Sequence, residues 1–220
     1  MTLAAFTHVI FDLDGTLLDT EELYTIASQA IVSRYGKVYD WEVKRHVIGG
    51  DPLVGARFVV ERLALPISAE AYIAEREVLL RELFKNVQAM PGALLLIEAL
   101  HARGIPLAIG TSSVRELAER KLAPQPFAAR FRAIVCSDDP QVRMAKPAPD
   151  IFLLAARRLG AQPRDCLVFE DTPKGVEAAR AAGMQVIAVP DPQMQRTEFA
   201  DAHAVLDSLH EASLALLGLE

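Results

Sequence analysis

His8-Val9-Ile10-Phe11-Asp12-Leu13-Asp14-Gly15-Thr16 is the stretch on which the fold turns. A short apolar run ends abruptly in a D-x-D-G turn, which reads as a strand whose far end carries carboxylates. Similar runs recur at residues 106–110, 133–136, 166–169, 185–189 and 204–206. Between them lie helical patterns at 93–103, 151–159 and 174–182, closed by Gly104, Gly160 and Gly183, as helix C-termini often are. Strand alternating with helix predicts an α/β protein with a Rossmann-like parallel sheet as its core, covered by helices on both faces.

One region breaks the alternation. Residues 20–88 contain no convincing strand but four helical stretches, at 21–35, 41–48, 52–63 and 68–84, punctuated by Gly36, Gly49-Gly50 and Pro66. The expectation is a core domain formed by residues 1–19 and 89–220, with an inserted α-helical cap domain at 20–88. The connections near Asp19 and near Met90-Pro91-Gly92 would act as hinges.

Composition narrows the function. A net charge of −6 over 220 residues and a pI near 5.4, with no Lys/Arg stripe, argue against a nucleic-acid partner. No apolar stretch approaches the ~20 residues that span a bilayer, and residues 1–8 do not read as a signal peptide. A cytoplasmic monomer without a membrane partner is expected. Cys136 and Cys166 show no C-x-x-C spacing and read as small buried hydrophobes; the five scattered His give no zinc pattern.

In a parallel sheet, ligands bind beyond the carboxyl ends of the strands. Here those ends carry Asp12-Leu13-Asp14-Gly15-Thr16, then Thr111-Ser112-Ser113, then Lys146-Pro147 across a loop, then Glu170-Asp171. Acids, hydroxyls and one lysine on one edge suit metal-assisted phosphoryl transfer to or from a small-molecule phosphate ester. Mg²⁺ prefers oxygen ligands, which Asp12 and Asp171 can offer, with Glu170 beside them. A carboxylate such as Asp12 can attack phosphorus and divide one displacement into two. Asp14, past the strand end, can serve as general acid and base. Thr111 and the Ser112 N–H, before a helix expected to begin near Ser113, can bind phosphate oxygens, and Lys146 can neutralise them.

Each piece has an ordinary structural reading. D-x-D-G is often a solvated turn, Thr111-Ser112 and Asp171-Thr172-Pro173 both make good helix caps, and Lys146 could be a surface lysine. An EF-hand loop is excluded, because Leu17 and Leu23 stand where its Gly and Glu belong. The weight lies in four such features at four strand ends, in order.

In that order and spacing the four motifs resemble the haloacid dehalogenase superfamily, over nearly the whole chain. The resemblance implies Asp12 as nucleophile and magnesium ligand, and Asp14 as acid/base whose backbone carbonyl also binds the metal. It further implies Glu170 and Asp171 as the remaining acidic metal site. Asp14 and Gly15 match the phosphatase form of the first motif rather than the dehalogenase form. Within the superfamily the chain is similar to the β-phosphoglucomutase-like branch, and there to the pseudouridine-5′-phosphatases, through residues 11–15, 166–171 and 183–186. Tyr24 stands where the mutases carry a cap His, and Pro52 where they carry an Arg that grips a distal phosphate.

The resemblance therefore implies a Mg²⁺-dependent phosphatase, with a phosphomutase as the first rival and a non-catalytic phosphate-binding regulator as the second. In the cap, Glu21, Glu22 and Tyr24 could face the leaving group; their ordinary reading is the polar face of an amphipathic helix, which suits Glu22 better than Glu21. Trp41 reads as packing rather than as a stacking platform.

Overall fold

The structure is a computed structural model and describes residues 3–219. Met1, Thr2 and Glu220, at the two ends of the expected core domain, lie outside the described residues.

The chain runs β1 (His8–Phe11), α1 (Glu21–Ser33), α2 (Trp41–Lys44), α3 (Pro52–Arg62), α4 (Ala69–Leu83), α5 (Ala93–Ala102) and β2 (Leu107–Gly110). It continues through α6 (Arg115–Leu122), β3 (Phe131–Val135), α7 (Asp150–Leu159), β4 (Cys166–Glu170), α8 (Pro173–Ala181), β5 (Gln185–Ala188) and β6 (Ala204–Val205). The six strands form one sheet in the order β3-β2-β1-β4-β5-β6, parallel throughout.

Both sheet faces are buried, which is why the strands read as continuous apolar runs rather than as alternating patterns. Val9, Phe11, Leu107, Ile109, Leu167 and Phe169 point into one cluster with α5 and α6. Ile10, Ala108, Val168 and Val186 point into the other with α7 and α8. Phe11 stacks on Phe169 with ring centroids 5.0 Å apart.

β1 sits in the middle, with Phe11 in register with Ile109 of β2 and Phe169 of β4. The residues that follow these three strands therefore emerge at one level of one edge. Strand pairing, rather than loop conformation, juxtaposes Asp12, Thr111 and the Glu170-Asp171 pair.

Helices α1 to α4 pack around Ile31, Val32, Tyr39, Val43, Ala56, Val59 and Tyr72. Their starts are fixed by side chains: Asp40 accepts from Val43 N, Asp51 from Leu53 N and Val54 N, and Ser68 from Ala71 N. A second apolar cluster, Ala27, Leu80, Phe84 and Leu117, ties α1 and α4 to α6. The two connections to the sheet run side by side: Met90 N donates to Leu17 O at 2.8 Å and Asp19 N to Gln88 O at 2.9 Å.

Most boundaries lie within a residue or two of expectation, and three shifts have a local cause. α2 stops at Lys44, because His46 N and Val47 N bond three residues back rather than four, so residues 45–48 form tight turns. β3 begins at Phe131, two residues early; Arg130 and Arg132 mask it, yet Phe131 meets Phe11 edge-on at 6.1 Å. The helix expected near Ser113 starts at Arg115, since Ser113 is turned toward Asp14 instead. Among the described residues no helix is long and apolar enough to cross a membrane.

Candidate active site

Asp12 leaves β1 buried, with its N–H donating to Phe169 O at 2.9 Å. Beneath it lies Lys146, whose Nζ donates to Asp12 Oδ1 and, at 2.6 Å, to Glu170 Oε1. Glu170 is tied down further: its Oε2 accepts from Asp171 N and Thr172 N at 2.9 Å and from Thr172 Oγ1 at 3.0 Å. A Cβ at Gly175 would fall 1.8 Å from that carboxylate, so α8 approaches it only because residue 175 is Gly. Thr172 caps α8, accepting from Gly175 N, which leaves Asp171 free of the capping role open to it in sequence. The Asp171 carboxylate accepts from Thr16 Oγ1 at 3.2 Å. Gly15, at φ +79°, turns the chain so closely past Asp171 that a Cβ there would lie 2.2 Å from its Oδ2.

Asp12, Glu170 and Asp171 each place a carboxylate oxygen within 4.8 Å of the others. Burial raises the Asp12 carboxyl to about 7, against the pull of the Lys146 ammonium and with help from the charges of Glu170 and Asp14. Asp171 is pushed well above the usual carboxylate range by burial, then by Glu170, Asp12 and Glu21. Three crowded acids sharing one ammonium fit a hard divalent cation, whose charge would relieve both penalties.

Asp14 has the opposite environment. Both its oxygens lie 2.6 Å from Lys121 Nζ, and Ser113 Oγ donates to Oδ2 at 2.8 Å. Burial raises its pKa, but the Lys121 charge and these hydrogen bonds outweigh burial and hold it below the usual range. Two neighbouring carboxyls are thus driven apart, one up and one down, the pattern expected of groups with different chemical tasks.

Lys121 went unnoticed in the sequence, although a signal was there. On α6 and its lead-in, Val114, Leu117, Ala118, Lys121 and Leu122 share one helical face, so a lysine occupies a core-facing position. It is fully buried, with the rings of Phe84 and Tyr24 5.1 and 6.0 Å from its ammonium. Thr111 and Ser113 also work as a unit: Thr111 Oγ1 accepts from Ser113 N at 3.0 Å and approaches Asp14 Oδ2 at 3.5 Å. Ser112 Oγ is buried without a hydrogen-bond partner among the described residues, and Ser112 lines the cavity.

Above these groups, a chamber of about 170 Å³ is bounded by α1, α3, α4 and the loop through Gly49-Gly50. Asp12, Asp14, Thr111, Ser112, Glu170 and Asp171 line its floor, and Glu21 and Tyr24 its wall. Lys44, Tyr39 and Arg76 join them there without having been singled out in the sequence. Glu21 pairs with Lys44 at 3.2 Å, while Glu22 is exposed. Trp41 is half-buried and packs its ring 5.9 Å from the Lys44 ammonium, and is not among the lining residues.

The chain is similar to known proteins. A probable pseudouridine-5′-phosphatase of Drosophila melanogaster is 46% identical over 217 residues, 97% of this chain and 94% of that protein. The mitochondrial (DL)-glycerol-3-phosphatase 1 of Arabidopsis thaliana is 42% identical, over 93% of this chain and 71% of that one. The crystal structure of β-phosphoglucomutase from Clostridium difficile matches with a TM-score of 0.84 at 21% identity, covering 97% of this chain and 96% of that one; it shares the fold. Residues 6–183 match the haloacid dehalogenase-like hydrolase family, and the chain belongs to it.

Proposed function

We propose that the protein hydrolyses a small phosphomonoester, a sugar or nucleoside phosphate such as pseudouridine 5′-phosphate, through an aspartyl-phosphate on Asp12. The observation that carries this reading is the pair of oppositely tuned carboxyls, Asp12 and Asp14, on the floor of one chamber. Asp12 attacks phosphorus, and the ester oxygen leaves with a proton from Asp14. Asp14, ionised again, then takes a proton from the water that cleaves the acyl phosphate. Lys121 favours the ionised, basic form of Asp14; a dianionic phosphoryl group arriving beside it raises its pKa toward the acidic form. Lys146, Thr111 and the Ser112 N–H hold the phosphoryl oxygens.

Asp12, Asp171, Glu170 and the Asp14 carbonyl are the proposed holders of Mg²⁺. When bound, that ion would neutralise charge on the transferring group. Residues 20–88 are read as a cap that closes to exclude water and reopens for release, hinged where Asp19 and Met90 leave the core. A monomer is the proposed state and the cytoplasm the proposed compartment.

The test is inorganic phosphate release from pseudouridine 5′-phosphate, glycerol 3-phosphate, other nucleotides, sugar phosphates and phosphoglycolate. Release is expected with Mg²⁺ and should stop with EDTA. Isomerised product in place of phosphate would establish a mutase, against the reading drawn from Pro52. No turnover of any ester would favour a non-catalytic regulator.

Lys121→Met should cut kcat by roughly 10²-fold while KM changes little, because general acid–base catalysis contributes about that much or more. The sign of its pH effect follows from the pairing. Lys121 lowers the Asp14 pKa, so its removal raises it, and the limb of the profile that needs ionised Asp14 moves to higher pH. A pH–rate profile that superimposes on wild type would refute the coupling.

A further inference from the structure

Two cations line the chamber, Lys44 and Arg76. Lys44 is already paired with Glu21, its Nζ donating to the Glu21 main-chain oxygen and lying 3.2 Å from the Glu21 carboxylate. Arg76 makes no hydrogen bond or ion pair among the described residues, and its Nε is fully buried without a partner. Its neighbours on α4 are already engaged, Glu77 with Arg81 and Glu75 with Arg34. Tyr72 and Tyr24 hold the guanidinium between them, 5.4 and 5.8 Å from their ring centroids. The Oη of the wholly buried Tyr72 is likewise unpartnered. Ile73, Arg76, Glu77 and Leu80 present one face of α4 to the cavity, so the fork is carried on a rigid element.

A buried guanidinium N–H without an acceptor, as at Arg76 Nε, is costly in the empty protein. In a wall that is otherwise apolar or already paired, it selects for what it lacks. We propose that Arg76 is a specificity-determining residue, which binds acceptor oxygens on the leaving group and so distinguishes oxygen-bearing from plain hydrocarbon phosphate esters. Tyr24 and Tyr72 pre-organise the fork by stacking, and its planar pair of N–H donors suits two oxygens presented together. Hydroxyls, ring carbonyls and a carboxylate all offer that chemistry. The inference rests on the chamber being a phosphomonoester site.

The test compares kcat/KM for glycerol 3-phosphate (hydroxyls), pseudouridine 5′-phosphate (hydroxyls and ring carbonyls) and phosphoglycolate (carboxylate) with that for phenyl phosphate. The last has no acceptor beyond the ester oxygen. For the acceptor-bearing ester that wild type uses best, Arg76→Ala should lower the ratio to phenyl phosphate by about tenfold or more, since a site built to hydrogen-bond penalises the unpaired state. Arg76→Lys, which keeps the charge without the fork, should fall between the two. The ester whose ratio falls furthest identifies the kind of oxygen that is read. A ratio within twofold of wild type in Arg76→Ala would overturn the proposal, because a merely structural arginine would slow all esters alike. Should Arg76→Ala not fold, an unchanged ratio in Arg76→Lys would overturn it equally. Wild-type hydrolysis of phenyl phosphate alone would sink this inference but not the phosphatase reading, whereas no hydrolysis of any ester would sink that reading first.

Discussion

An Asp12→Asn protein is expected to fold normally and to release no phosphate, its turnover lower by about 10⁴-fold or more, as when other covalent nucleophiles are removed. The substitution keeps the shape of the side chain, and an amide oxygen can still accept from Lys146, which retains Glu170 as its counter-ion. What disappears is the negative oxygen that the proposed mechanism uses to attack phosphorus. Stability should move the other way. Burial lifts the Asp12 carboxyl to about 7, so the native state holds a proton more tightly than the unfolded chain does. An acid with a raised pKa costs stability as it ionises: the cost is absent near pH 4, grows as pH rises toward 7, and is complete above. Asn escapes that cost. Chemical denaturation in EDTA should therefore find the variant at least as stable as wild type at pH 8, with the difference shrinking at pH 5. Borohydride reduction of wild type quenched during turnover should convert an acyl phosphate at residue 12 to homoserine, read by mass spectrometry; a folded variant with wild-type turnover would remove Asp12 from the mechanism.

The legible part of this molecule lies where one residue type at one strand end has few structural alternatives. Asp12, Thr111 and Asp171 follow directly on apolar runs whose parallel pairing brings their ends to one edge, and Lys146 follows a fourth such run across a loop, so their order along the chain is the visible signal. Thr172 shows the limit of such reading. A helix cap and a metal-binding acid were both possible for Asp171-Thr172-Pro173, and the chain uses Thr172 for the first, leaving Asp171 in the acidic cluster. Lys121 shows a different limit. Its partner Asp14 lies 107 residues away, and an amphipathic helix with one lysine on its apolar face invites a snorkelling explanation. Only the packing of α6 against Phe84, with Asp14 within reach, turns that lysine inward. Arg76 is harder still. Its meaning depends on Glu77 being taken by Arg81 and Glu75 by Arg34, and i,i+4 charge patterns do not say which of several acids an arginine will choose.

Lys146→Met should damage the fold and the chemistry together, and pH should separate the two effects. The ammonium is almost wholly buried between Asp12 and Glu170, above the Phe152 ring at 4.6 Å. Burial alone would lower its pKa, but the two carboxylates outweigh burial and keep it charged. A methionine can fill the same space against Phe152, so cavity formation is a minor term. The cost comes from leaving carboxylates buried without their cation, about 3–5 kcal/mol for a broken buried pair. Asp12 must then hold its proton more tightly in the folded state, which raises its native-state pKa further. By the same linkage the destabilisation is small near pH 4 and increases with pH through neutrality, so denaturation midpoints should differ less at pH 5 than at pH 8. Equal penalties at both pH values would show that Lys146 stabilises by packing instead. Under conditions where the variant is folded, kcat should still be down by roughly 10²- to 10³-fold, the scale on which a preorganised charge at a transferring group acts. Lowering the pH recovers stability but not turnover, because a protonated Asp12 is no longer a nucleophile.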